Sequence, residues 1–315
     1  MPDRAPLLLL DTASLYYRAF FGIPDSVRSP DGLPVNAVRG LLDMTASLLL
    51  SRRPDRLVAC WDDDWRPAFR VAAIPSYKAH RLAPGTTDVE ATPDLLSPQI
   101  PVIVEVLAAL GIARVGAAGF EADDVIGTLV AREGAVPAAR RQPVEIVTGD
   151  RDLFQLVDDA TGVRVLYPSR GVSDLDVVDQ ARLRDKYGVP TGQAYADMAV
   201  LRGDPSDGLP GVRGIGEKTA VALLARYGDL AGILAARDAR DPGLTATQRT
   251  RLTEAADYLA VAPGVVRVAP DAPLAPFDDA VPRTPADPDA LVALAERWGL
   301  ASSVTRLVTA MSGER

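Results

Sequence analysis

The sequence predicts an α/β fold: a body on a mainly parallel central sheet, with a helical appendage behind it. Two features carry this. Short apolar runs alternate with helical periodicity from Leu7 to Tyr167, and from Asp176 onward helical patterns follow one another without strands. In order, Leu7 to Leu10 reads as a strand, Val35 to Leu50 as a helix and Leu57 to Trp61 as a second strand. Ile100 to Leu110 and Ala122 to Arg132 follow as helices, with Val144 to Thr148 and Val163 to Tyr167 as further strands. Between them, Asp62 to Gln99 breaks the pattern, with prolines at 67, 75, 84, 93 and 98. So long an irregular insertion in a compact body reads as a functional lid. The second half is expected to hold helices at Asp176 to Tyr187, Thr191 to Leu201, Glu217 to Arg226, Asp229 to Ala236 and Thr245 to Val261. A linker rich in Pro, Ala and Asp follows from Pro263 to Pro288, with one short strand expected at Val265 to Val268. A last helix pair from Asp289 to Met311 is expected to pack back on the body. The domain boundaries expected are 1–175 for the body, with its insertion at about 63–99, 176–262 for the helical region and 263–315 for the linker and last helices.

Acidic residues cluster where these strands or turns end: Asp11, Asp62, the EADD of Glu121, Asp123 and Asp124, the GDRD of Asp150 and Asp152, and the GDPSD of Asp204 and Asp207. The carboxyl edge of an open α/β sheet is where such folds place ligands, so distant positions can meet there. Two carboxylates ~5 Å apart repel by roughly 3 kcal/mol at an effective dielectric of ~20, so nine in one cleft require cations or raised pKa values. Oxygen donors without His or Cys favour Mg²⁺ or Mn²⁺ over zinc. Taken singly, EADD reads as helix N-terminal acidity and Asp152 as an N-cap. Glu121 and Asp124, three apart, are expected to share a helix face, with Asp123 pointing partly elsewhere. Five capping coincidences explain the set less well than one metal site.

The 34 Lys and Arg stand against 42 Asp and Glu, a net charge of −8. Removing the nine clustered acids from the 42 leaves 33, so the acidity does not exclude a polyanionic substrate once divalent ions neutralise the site. The grip on such a substrate is expected to be weak and salt-sensitive. Cys60, the single cysteine, excludes an intramolecular disulfide and is expected to be a small core residue in a protein of the reducing cytoplasm. Leu7 to Leu10 is too short to span a membrane, and no signal peptide is evident.

The segment GDPSDGLPGVRGIGEK, Gly203 to Lys218, fails as a nucleotide P-loop because Glu217 stands where the lysine must be. It reads instead as helix, glycine turn, helix. Its amides and helix N-terminus suit a backbone phosphate, with Arg213 and Lys218 adding charge. In the insertion, Tyr77, Lys78 and Arg81 could stack a base and neutralise phosphates, though a solvated basic face is the plainer reading. Arg18 could pair with a site acid, and His80 is given no catalytic role.

LLLLDTASLYYRAF, SYKAHR, GFEADDVIGTLV, IVTGDRDLFQLV and GDPSDGLPGVRGIGEKTA, in this order, resemble the structure-specific 5′-nucleases: flap endonucleases and the 5′–3′ exonuclease domain of bacterial DNA polymerase I. The resemblance spans about Leu7 to Tyr258. It implies a PIN-like (resolvase-like) core, a helical arch over the site and a helix–three–turn–helix element that holds duplex DNA. It maps metal-site carboxylates onto Asp11, Asp62, Glu121, Asp123, Asp124, Asp150, Asp152, Asp204 and Asp207. The strand end favours Asp62 over Asp63 and Asp64. Lys78 and Arg81 map as catalytic arch cations, Arg18 as a further phosphate contact and Tyr77 as a stacking partner. Gly211, Arg213, Gly214, Gly216 and Lys218 map to DNA binding. Gly208 departs from the family, where many relatives carry Asn.

The resemblance implies cleavage of DNA near 5′ ends, as exonuclease and flap endonuclease, in replication and repair. Two Mg²⁺ ions are implied, with Mn²⁺ able to substitute and K⁺ able to sit in the glycine turn. Asp11, Asp62, Glu121 and Asp123 would serve one ion, Asp152, Asp204 and Asp207 the other, with Asp150 bridging. A free-standing, monomeric nuclease is expected, since the larger relatives continue beyond the equivalent of Arg315, with DNA and a DNA polymerase as partners. The competing readings are a catalytically silent DNA-junction-binding protein and a PIN-type ribonuclease.

Overall fold

A computed structural model describes residues 4–313. Its centre is a six-stranded sheet of order β3-β2-β1-β4-β5-β6. The strands are β1 (Leu7–Asp11), β2 (Arg56–Cys60), β3 (Ala113–Val115), β4 (Val144–Val147), β5 (Val163–Tyr167) and β6 (Asp176–Val178). The first five run parallel and β6 closes one edge antiparallel to β5. Every residue of β1 is buried, as a strand covered on both faces requires. Strand alternation divides its leucines: Leu7 and Leu9 join the core beneath α5 (Ala122–Gly134), while Leu8 and Leu10 join the one formed with α2 (Asn36–Arg52) and α4 (Gln99–Leu110).

The chain leaves β1 toward β2 and β3 on one side, then returns to β4 on the other. This reversal opens a crevice at the carboxyl ends of β1 and β4.

The strands and most helices fall where the periodicity places them. Four differences have physical causes. α1 (Thr12–Gly22) is not among the helices expected, although Leu15, Tyr16 and Ala19 recur at helical spacing and are buried; Asp11 caps it by accepting from Ser14 N at 3.2 Å. The three residues of β3 are too few to register as a period. Asp176 to Tyr187 is not one helix: Asp176–Val178 is β6, Asp179 caps, and only α6 (Gln180–Tyr187) is helical. Val265 to Val268 forms no strand, because α11 (Ala256–Val266) continues through Pro263, and a break at Ala255 separates α11 from α10 (Ala246–Glu254).

The helical region comprises α6, α7 (Gly192–Arg202), α8 (Glu217–Tyr227), α9 (Leu230–Asp238), α10 and α11. Its buried residues belong to the same apolar cluster as Leu7 and Leu9, so it packs as one body with the sheet. α12 (Pro288–Trp298) and α13 (Ala301–Ser312) pack on α4 and α2. The insertion holds one short helix, α3 (Ala68–Ala73), and a 3₁₀ turn at Ala79–Arg81. Among the described residues no single helix is long and apolar enough to cross a membrane.

Candidate active site

The crevice opens into a cleft of about 610 Å³ whose lining includes Asp11, Asp62, Glu121, Asp123, Asp150, Asp152, Asp204 and Asp207. Eight of the nine acids expected from the sequence therefore meet. Each is placed by a strand or helix end. Asp11 ends β1, and its second carboxylate oxygen accepts from Thr148 Oγ1 at 2.6 Å. Asp62 follows β2 and accepts from the Ala122 amide at 2.8 Å, which ties it to the start of α5. Asp150 follows β4, taking the Asp152 amide at 2.8 Å, while its own amide donates to Thr148 Oγ1. Asp204 caps the 3₁₀ turn after α7 that also carries Asp207. Asp63 stands at the cleft mouth near Arg114, and Asp64 turns back to the Arg66 amide.

The cost of this crowding is visible in the acidities. Burial, and then the charges of Asp62 and Asp150, push Asp11 up to about 7 against the lowering effect of Thr148. Asp152 rises to about 8, through burial and then Asp150, Asp207 and Asp204. Asp123 is raised well above its ordinary value by burial and by Asp11 and Asp150. Asp62, Glu121 and Asp207 are raised too, chiefly by burial, and Lys78 offsets part of each shift.

Asp124 is not part of the cleft. Fully buried, it receives both terminal nitrogens of Arg70 at 2.7 Å, the Ala269 amide at 2.8 Å and the Glu121 amide at 3.1 Å. No lone pair is left for an ion. The expected pairing holds, since Glu121 and Asp124 form a capping box and meet the same Arg70 nitrogen, but it does not bring both into the cleft: Glu121 and Asp123 line it while Asp124 faces the core. Arg70 itself is buried, reaching Glu121 and the carbonyl of Val265 as well.

Two further expectations are corrected. Tyr77 is 3% exposed and its hydroxyl donates to Glu121 at 2.8 Å, so its ring is packed in the core and presents no face to a base. Arg18 reaches no site acid: it donates to the Ser169 carbonyl at 3.1 Å and lines a neighbouring hollow instead.

Lys78 and Arg81 do reach the cleft. Lys78 pairs with Glu121, and Arg81 with Asp207 at 2.8 Å. The glycine turn lies outside the cleft lining, between α7 and α8, with Arg213 and Lys218 exposed. Gly211 and Gly214 both take left-handed backbone, φ +64° and +79°. At Gly211 a Cβ would strike the Arg202 carbonyl at 2.4 Å, so close helix approach requires glycine there. Gly216 caps α8.

Sequence reasoning missed Glu90, Arg151, Tyr195 and Arg202, which also line the cleft. Arg151 and Arg202 abut the GDRD and GDPSD acids, a signal that adjacency could have given. Glu90 lies in the patternless insertion and had none.

The donors fit a hard divalent cation: they are all carboxylate oxygens, and burial followed by neighbouring carboxylates already makes Asp11 and Asp152 weaker acids than an ordinary aspartate. As they stand, no three His, Cys, Asp or Glu side chains among the described residues surround a common point closely enough to hold an ion. Protein cations take up Glu121 and Asp207 instead, so ion binding entails loosening of those pairs.

Residues 6–188 match the family description "5′-3′ exonuclease, N-terminal resolvase-like domain", and residues 190–289 match "5′-3′ exonuclease, C-terminal SAM fold". The chain is 64% identical over 308 residues to a 5′-3′ exonuclease of Streptomyces coelicolor, covering 97% of this chain and all of that one. It is 52% identical to the 5′-3′ exonuclease of Mycobacterium tuberculosis, covering 98% of each. With the DNA polymerase I of Mycobacterium bovis it shares 44% identity over 235 residues, 74% of this chain but 24% of the polymerase. In fold it is similar to the bacteriophage T5 D15 protein co-crystallized with metal ions (TM-score 0.65, 15% identity, 97% and 98% covered). It is also similar to the catalytic core of Rad2 in complex with DNA substrate (TM-score 0.60, 19% identity, 98% and 93% covered). With both of its parts matched in order and near-complete relatives at high identity, this chain belongs to the 5′–3′ exonuclease family.

Proposed function

We propose that this protein is a structure-specific 5′-nuclease, hydrolysing phosphodiester bonds near the 5′ ends of DNA both exonucleolytically and at 5′ flaps. The observation that carries this reading is the meeting of eight carboxylates in one cleft roofed by Lys78 and Arg81. Asp11, Asp62, Glu121, Asp123, Asp150, Asp152, Asp204 and Asp207 would hold two Mg²⁺ ions, for which Mn²⁺ can substitute. When bound, such ions bring a water toward ionisation near neutral pH and offset charge on the scissile phosphate.

The chain's own residues do the rest. Thr148 and the Ser14 amide fix Asp11, and the Ala122 amide fixes Asp62, so these carboxylates are aimed before substrate arrives. Lys78 and Arg81 exchange their carboxylate partners for phosphate oxygens, placing positive charge where negative charge develops during cleavage. The glycine turn between α7 and α8, with Arg213 and Lys218, grips duplex backbone at a distance from the cut, and K⁺ suits its carbonyls. Replication and repair are the settings this chemistry serves, with a DNA polymerase as the natural partner and the cytoplasm as the compartment.

The test is cleavage of a 5′-flap duplex in Mg²⁺, in EDTA and by Asp150→Asn. Among the described residues Asp150 forms no ion pair and accepts only the Asp152 amide, so this variant removes a carboxylate at little structural cost. Turnover is expected to vanish in EDTA and to fall roughly 100-fold or more in the variant. Undiminished turnover in either arm refutes the proposal, and binding of the flap without cleavage by the wild type selects the silent junction binder.

A further inference from the structure

At Gly208 the backbone of the insertion lies directly against the turn that follows α7. Gly208, just after Asp207, has φ +71°, and a Cβ there would lie 2.1 Å from the Ser76 carbonyl oxygen and 2.9 Å from its carbon. That obstacle is backbone, so no rotamer change relieves it. Around this contact the insertion is stitched to the same turn: Ser76 Oγ donates to the Gly208 carbonyl at 2.7 Å and the Lys78 amide to the Asp207 carbonyl at 3.0 Å. Arg81 reaches the Ser206 carbonyl at 3.2 Å and the Asp207 carboxylate at 2.8 Å. Lys78 itself has φ +47°, an uncommon conformation for a residue with a side chain, and its ammonium then enters the cleft beside Glu121.

We propose that Gly208 is a positioning residue for the two insertion cations: its missing side chain lets residues 76–78 lie on the 204–208 turn, and this seating aims Lys78 and Arg81 at the scissile phosphate. The inference rests on the nuclease reading, since it assigns those cations their target. The residue acts through Ser76 and Lys78 and touches no substrate.

Gly208→Asn is the informative change, because Asn tolerates left-handed backbone and so isolates the Cβ collision. Gly208→Ala carries the same Cβ without the amide and serves as the second variant. With a 5′-flap duplex and Mg²⁺, both are expected to lower kcat by roughly 10- to 100-fold, the scale for displacing a catalytic group by about an ångström. DNA affinity, measured in Ca²⁺, and the half-activating Mg²⁺ concentration should each stay within about twofold. Gly208→Asn added to the pair Lys78→Ala and Arg81→Ala should cleave no more slowly than that pair alone, because it can only disturb what the pair has already removed.

A readout independent of turnover is hydrogen exchange at the Lys78 amide, expected to be at least about tenfold faster in both variants. Unchanged exchange overturns the proposal. So does a further loss when Gly208→Asn is added to the variant lacking both cations, or a shifted Mg²⁺ requirement, which would place the effect at Asp207. If the wild type fails to cleave, the nuclease reading falls, while the exchange result still decides whether Gly208 seats the insertion.

Discussion

Asp124→Asn separates a buried structural carboxylate from a metal ligand. Asp124 accepts four hydrogen bonds, two from the Arg70 guanidinium and one each from the amides of Ala269 and Glu121, with no exposure to solvent. Asparagine removes the charge and turns one acceptor into a donor aimed at Arg70. Breaking a buried ion pair from one side costs about 3–5 kcal/mol. The surviving Arg70–Glu121 pair, 2.8 Å, holds the expectation at the lower end, about 3 kcal/mol. At about 2–4 °C per kcal/mol, Tm should fall by roughly 6–12 °C in Mg²⁺ and EDTA alike. The neighbouring change, Asp123→Asn, should do the reverse. It relieves a carboxyl strained by burial and by Asp11 and Asp150, so Tm in EDTA should hold or rise while turnover collapses. Thermal melts and Mg²⁺ titrations of flap cleavage on both variants decide the matter. If Asp124→Asn leaves Tm unmoved and raises the Mg²⁺ requirement, Asp124 is a ligand and the assignment is wrong.

In metal-free protein, Asp11 and Asp152 titrate at about 7 and about 8, far above unfolded aspartate, so their stabilising protons are fully bound below pH ~4 and lost as pH rises through those values. Tm in EDTA should therefore decline from pH 5.5 to 8.5, and Mg²⁺ should flatten the decline; a Tm that climbs over that range in EDTA contradicts the site electrostatics. The Cys60 thiol, fully buried and made a much weaker acid than usual by burial and by Asp11, should resist an aromatic disulfide reagent until urea unfolds the chain, and stoichiometric labelling of the native protein would show the strand exposed.

Much of this was readable from residues alone, for reasons that also explain the misses. The four leucines before Asp11 announce a doubly covered strand, and acids at strand ends announce the cleft, because both signals are local. What escaped depends on partners distant in sequence. Asp123 and Asp124 look alike in EADD; only Arg70 of the insertion and Ala269 beyond α11 decide that the second points inward. Tyr77 reads as a solvent-facing aromatic until the burial of Glu121 and Arg70 around it is known. β6 is three residues long and exists only because β5 offers it an edge. Gly208 is merely a departure from a family pattern until the Ser76 carbonyl is seen above it.

The packing of α13 on α2 bears on how the polypeptide is made. Leu48 and Leu49 belong to the same buried group as Leu307 and Met311, and Arg306 reaches Asp43 across that seam. At about 5–20 residues per second, the ribosome needs roughly 13–50 s to travel from Arg52 to Met311. For that interval an apolar flank of the growing chain has no covering, and by the time Asp207 is made, still about 100 residues before Met311, every carboxylate of the cleft has been synthesised. Maturation of the enzyme is thus timed by its last helix, and a message cut short before that helix yields a sticky, unfinished body with its full set of acids.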